Sequence, residues 1–206
     1  MPFSWGDAGL YLRLGVSHIA DLEGYDHLLF VTALTVAHPA AAWRRLLVLV
    51  TAFTVGHTVT LALATTGVVR VSTAWVEAAI PATIAATAAL TLWRASAEPA
   101  TGAAAPMIGR YALTAGFGLV HGLGFSNYLR SLLGGETSLV GPLLAFNVGL
   151  EVGQVAIVLV VLLAGWIAMR AGVPGRRWAK GVSAAALAVA VPMTVQRTLA
   201  AVSSPA

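Results

Sequence analysis

Five apolar stretches, at about residues 44–67, 73–94, 110–133, 139–170 and 178–200, are each long enough to cross a bilayer. Nothing else in the chain limits its fold as strongly. Backbone polar groups in hydrocarbon have no water to bond, so each such stretch must satisfy its own hydrogen bonds as a helix. A sixth run, at about 25–40, is shorter and opens on the charged pair Asp26–His27. The expected fold is therefore all-α: a polytopic transmembrane helical bundle of about six spans. Composition agrees, since a chain of 206 residues that is 58% hydrophobic and 10% charged cannot hide its apolar surface inside a water-facing domain. Residues 1–206 are read as a single integral membrane domain, with the lipid bilayer as its partner.

Upstream of the sixth run, GLYLRLGVSHIADLEG carries Arg13, His18 and Asp21. It is too short and too polar for a lipid-facing span, and is expected as an interfacial or re-entrant helix ending near Gly24. The connections are brief. The longest is ASAEPATGAAAPM, and AGVPGRRWAK supplies Pro174 and Gly175 as turn residues. The first ten residues lack the basic start and small-residue cleavage site of a secretory signal, so no cleaved segment is expected.

With six spans starting outside, Arg44, Arg45, Arg94, Arg110, Arg170, Arg176, Arg177 and Lys180 fall on one side. Arg70, Arg130 and Arg197 fall on the other. The first side is expected to be cytoplasmic, in a bacterial inner membrane. The net charge of +4 is thus spent on orientation signals at span ends, which argues against a nucleic-acid partner.

Ionisable residues inside spans are costly and mark function by default. Here they are His18, Asp26, His27, His57, Glu77, His121 and Glu151. With no cysteine, histidine plus carboxylate is the ligand chemistry of a divalent transition metal, zinc or nickel foremost. The expected metal ligands are His18, Asp26, His27, His57, His121 and Glu151. Glu77 and Glu151 are the candidates for proton transfer or catalysis.

Each has a plainer reading beside it. Asp26 suits a helix N-cap, His57 can bond between helices next to Thr54 and Thr58, and Glu77, one turn before Pro81, can reach the interface. His121 flanks a small-xxx-small seam made by Gly118 and Gly122, with Ser126 and Asn127 as a polar path to the outer surface. Asn147, Glu151 and Gln154 form one polar stripe on an otherwise apolar helix, which must face protein or water. Gly149 and Gly153 form a second small seam. His38 is read as interfacial, Glu98 and Glu136 as loop charges, and Trp5, Trp43, Trp75, Trp93 and Trp178 as aromatic-belt anchors.

Taken in order, GVSHIADLEGYDHLLFVTAL, LVTAFTVGHTVTLAL, VEAAIP, GFGLVHGLGFS and FNVGLEVGQ resemble the HupE/UreJ family of small bacterial membrane proteins over about residues 13–160. The resemblance is to the broader branch, because His121 stands alone where hydrogenase-associated members carry two nearby histidines. It implies a compact helical membrane protein associated with nickel or cobalt uptake.

The expected function is a divalent-metal permease whose site opens outward. No sequence reads as a phosphate loop, a GxSxG elbow or a dinucleotide fingerprint, so a secondary carrier or facilitator is expected, with no nucleotide. The rival is an intramembrane zinc-dependent hydrolase built from the same residues. A third reading is a packing protein whose histidines only bridge helices.

Overall fold

The computed structural model describes residues 5–96, 107–133 and 139–203. The expectations for Glu98, Glu136 and nearly all of the longest loop lie outside the described residues, as does the side chain of Trp5.

Among the described residues the chain is all-α. Its helices are α1 (Trp5–Ile19), α2 (Asp26–Val36), α3 (Trp43–Thr65), α4 (Thr73–Ser96), α5 (Met107–Leu133), α6 (Val140–Arg170) and α7 (Gly175–Ser203), with a 3-10 turn at Ala40–Ala42 before α3. Four segments are long and apolar enough to cross a membrane: Ala40–Thr65, Thr73–Ser96, Val140–Arg170 and Gly175–Ser203. The fifth expected span, α5, has the length at 27 residues, but its glycines, two arginines, His121 and Asn127 dilute its hydropathy. The sixth falls short. Helix α2 has 11 residues, a rise of about 16 Å against a hydrocarbon core of about 30 Å.

Helix α1 does not lie flat across the bundle but packs lengthwise and parallel on α6. Small residues make that possible. A Cβ on Gly149 would strike the backbone of Leu12, one on Gly15 the carbonyl of Phe146, and one on Gly153 the side chain of Ile19. Helices α3 and α5 pair in the same way, and α4 pairs with α7. Gly118 and Gly122 face the backbone of Phe53 and His57, and Gly56 faces the Ala115 carbonyl. In lipid, where apolar burial gives no net drive, such close backbone approach is what holds helices together.

Helix ends follow local rules. Gly67 and Gly172, at φ 78° and 88°, sit just past α3 and α6. After α6 the Gly172 N–H bonds the Met169 carbonyl and the Val173 N–H bonds the Ala168 carbonyl, a Schellman stop that only a left-handed residue allows. At the next turn Arg176 ties α7 to α4 by donating to the carbonyls of Ala95 and Ser96.

Two charged layers bound the bundle. One holds Asp26, Glu77 and Arg197, and the other holds His38, Arg94 and Arg110. Seventeen residues of α4 separate Glu77 from Arg94, a rise of about 26 Å that matches a bilayer core. Trp43, Trp75 and Trp93 are exposed near helix ends as belt residues should be, whereas Trp178 turns its indole toward Gly165.

Candidate metal centre

Four histidines from four helices meet just inside the Asp26 layer. His18 comes from the last turn of α1, His27 from the first turn of α2, and His57 and His121 from the middles of α3 and α5. Ring centroids stand 4.6 Å apart for His18–His27, 4.9 Å for His27–His121, 5.9 Å for His18–His57 and 6.0 Å for His27–His57. One ligand nitrogen from each of His18, His27 and His57 can be chosen so that all three lie within 4.8 Å of one another.

The glycine seams explain how. Gly118 and Gly122 remove the side chains that would separate α3 from α5, and Gly15, Gly149 and Gly153 do so for α1 and α6. The histidines are consequently enclosed: His57 is 0% exposed, His121 1% and His27 6%.

Their nitrogens are mostly uncommitted. Buried and without hydrogen-bond partners are His18 Nε2, His27 Nε2, both ring nitrogens of His57, and His121 Nδ1. His121 Nε2 stands 2.9 Å from Thr83 Oγ1, whose one proton is donated to the Ile80 carbonyl at 2.7 Å. Thr83 therefore accepts from His121, which fixes the proton on Nε2 and leaves Nδ1 with its lone pair. That arrangement is the one a ligating histidine needs.

A cavity of about 590 Å³ opens onto the cluster, lined in part by His18, His27, His121, Asp21, Asp26 and Glu77. His57 lies behind it. On the opposite side each of three histidines is backed by a phenylalanine one turn away: Phe30 beyond His27, Phe53 before His57 and Phe117 before His121. Phe30 contacts Phe53 at 4.8 Å and Phe117 at 6.1 Å, so an aromatic layer floors the site.

Asp26 is not a cap. The N-cap of α2 is Tyr25, with no side-chain hydrogen bond, and Asp26 Oδ2 instead pairs with Arg197 at 3.1 Å. The same guanidinium nitrogen reaches Glu77 Oε2 at 3.1 Å and the Glu77 carbonyl at 3.2 Å. That carbonyl is free because Pro81, four residues on, has no N–H to donate to it. The proline thus prepares a third acceptor for Arg197, which the sequence alone marks only as a span-end charge. Its position opposite Asp26 depends on α7 returning beside α4, a long-range pairing that no local pattern signals.

Glu151 has a different partner. Thr51 donates to its Oε1 at 2.5 Å, Thr54 donates to Gln154 at 2.8 Å and Thr58 to Asn147 at 2.6 Å. The polar stripe is a three-rung ladder between α6 and α3, and Glu151 does not line the histidine cavity. Ser126 and Asn127 line another cavity, beside Arg70 and Arg130, rather than a path from His121. His38, the fifth histidine, lies just past the far end of α2 with both nitrogens engaged: Nδ1 on the Leu34 carbonyl at 3.0 Å, Nε2 facing Arg110 Nη1 at 3.5 Å.

An all-helical chain with four membrane-crossing segments and a buried histidine cluster is a multi-pass membrane protein. It belongs to the HupE / UreJ protein family, which matches residues 3–200. No curated protein and no solved structure matches the chain.

Proposed function

We propose that the protein is a permease for a divalent transition-metal ion of the nickel and cobalt type, admitting the ion from the outer side of a bacterial cytoplasmic membrane. One observation carries this reading: three histidines from three helices converge with ligand nitrogens within 4.8 Å, and each has at least one buried nitrogen with no hydrogen bond to occupy it. A buried polar atom without a partner costs about 1–3 kcal/mol, and several in one place are a recurring loss that a cation would recover. His18, His27 and His57 form the core of the site, with His121 Nδ1 and the free Asp26 Oδ1 adjacent.

Neutral imidazoles bring no charge to offset a dication. Asp21, Asp26 and Glu77 on the cavity wall supply it, and Arg197 holds two of them until a stronger cation arrives. Passage onward requires the layer of Phe30, Phe53 and Phe117 to part. Imidazole and carboxylate favour copper over nickel and zinc by affinity alone, so cavity geometry has to do the selecting.

The test is flux into dye-loaded proteoliposomes. Nickel or cobalt should enter through the wild type and not through His57→Ala. Wild-type vesicles that move none of nickel, cobalt, manganese or zinc in either direction would overturn the permease.

The closed aromatic floor favours one second reading, a zinc-dependent hydrolase with a site reached from one side only. Zinc held by the histidines would supply a Lewis acid, and Glu77 a proton acceptor at the cavity wall. Phe53→Ala separates the two, because opening the floor raises flux in a permease and leaves a hydrolase without flux.

A further inference from the structure

At the arginine-rich end, α2, α4 and α5 enclose a second cavity of about 250 Å³. Leu34, Leu90, Leu113 and Phe117 give it apolar walls, while Arg94 and Arg110, beside His38, give it a cationic mouth. Among the described residues no carboxylate lies within ion-pair distance of Arg94 or Arg110, and the two guanidinium groups repel each other. Arg110 Nε is moreover buried with no hydrogen-bond partner. His38 offers Arg110 only a ring nitrogen at 3.5 Å, and its proton is committed to the Leu34 carbonyl.

A buried guanidinium donor without an acceptor is a costly arrangement, and two of these cations side by side add repulsion. Both costs disappear when one anion with several acceptor oxygens sits between the arginines. Carboxylate and phosphate both match the planar guanidinium donors, and phosphate offers more acceptor oxygens for two arginines to share. The apolar walls call for a ligand that is only partly ionic, and basic pockets between membrane helices on the positively charged side are where lipid headgroups settle.

We propose that this cavity binds an anionic phospholipid from the adjoining leaflet, its phosphate held by Arg94 and Arg110 and an acyl chain lying along Leu34, Leu90 and Phe117. The proposal stands apart from the permease reading, because neither Arg94 nor Arg110 takes part in the metal site and it is read out by lipid binding alone.

Native mass spectrometry of the purified full-length chain in detergent, titrated with phosphatidylglycerol or phosphatidylcholine, tests it. Phosphatidylglycerol should be retained about tenfold more strongly than phosphatidylcholine, a selectivity consistent with two cationic contacts. Arg94→Gln with Arg110→Gln should remove that preference, lowering phosphatidylglycerol retention far more than that of phosphatidylcholine, whose choline already offsets its phosphate. Arg94 is exposed, so Arg94→Gln alone keeps the fold and should lower the preference by itself. Leu90→Trp, which fills the wall without touching charge, should also lower phosphatidylglycerol retention. Equal retention of the two lipids, or full retention by the double arginine variant, overturns the proposal. Displacement of phosphatidylglycerol by an equal concentration of inorganic phosphate also overturns it, by showing that the site takes a free anion.

Discussion

The two cavities are bounded by some of the same helices and separated by one layer of phenylalanines, yet they are opposite in kind. The outer one gathers Asp21, Asp26 and Glu77 around histidines whose nitrogens have no partners. The inner one gathers arginines around His38, whose nitrogens are both engaged. The lesson is that a histidine in an apolar helix is defined by what its nitrogens already bond. Helix α2 makes the contrast within a single element, carrying His27 at one end and leading to His38 just past the other. Burial does not separate them as sharply as hydrogen bonding does.

The hardest blow to this contrast comes from removing a ligand. His27→Ala or His57→Ala should weaken nickel binding by more than the roughly 10–100-fold that loss of a merely supporting residue costs, as measured by calorimetry in detergent. If both variants keep full metal content by elemental analysis, the outer cluster is a packing feature and the contrast with His38 collapses.

Arg197 sharpens the comparison next. It is the one cation among the described residues that is ion-paired to the outer acids, holding Asp26 and Glu77 with one nitrogen. Arg197→Gln should therefore raise metal affinity severalfold, since the dication no longer competes with a tethered guanidinium. The same change should lower the stability of the metal-free protein by about 1 kcal/mol, a partly exposed pair being worth little more. Unchanged affinity would mean that the ion enters without meeting the Asp26 layer. The third effect is smaller. Glu151→Gln should alter metal affinity by less than about threefold, because a glutamine carbonyl still accepts from Thr51 and the ladder stands apart from the histidines. A large loss would join the ladder to the site.

What was legible in the sequence divides along the same line. Helices α3 to α7 were readable because long apolar runs in lipid have one solution, and the seams at Gly118/Gly122 and Gly149/Gly153 because small residues four apart make one face. The convergence of His27, His57 and His121 followed from placing each at a similar depth. Depth says nothing about azimuth, and that is where the reading ran short. Glu151 shares the right depth but faces α3 through Thr51, while His18, a candidate ligand by residue type alone, reaches the cluster because α1 packs down α6. The Arg94–Arg110–His38 grouping was equally invisible: three residues read separately as span-end signals come together only when α2, α4 and α5 are side by side.

The smallest effect belongs to His38, and it tests the comparison from the other side. His38→Gln should leave metal affinity unchanged, since neither of its nitrogens is free to ligate. It should instead alter the response of stability to acid. Burial, foremost, then the neighbouring Arg110, Arg94 and Arg45 hold the His38 pKa below its ordinary 6.5, against the opposing pull of the Leu34 carbonyl. A histidine kept neutral by the fold takes up its proton more readily when unfolded, so its contribution is intact above pH 6.5 and is lost as pH falls from there toward the depressed folded value. Thermal unfolding at pH 7.5 and 5.5 reads this out. The drop in melting temperature between the two should be smaller in His38→Gln than in the wild type, because glutamine has no proton to gain. An identical drop would mean that His38 binds its proton equally well folded and unfolded, so that neither its burial nor the neighbouring arginines weigh on it.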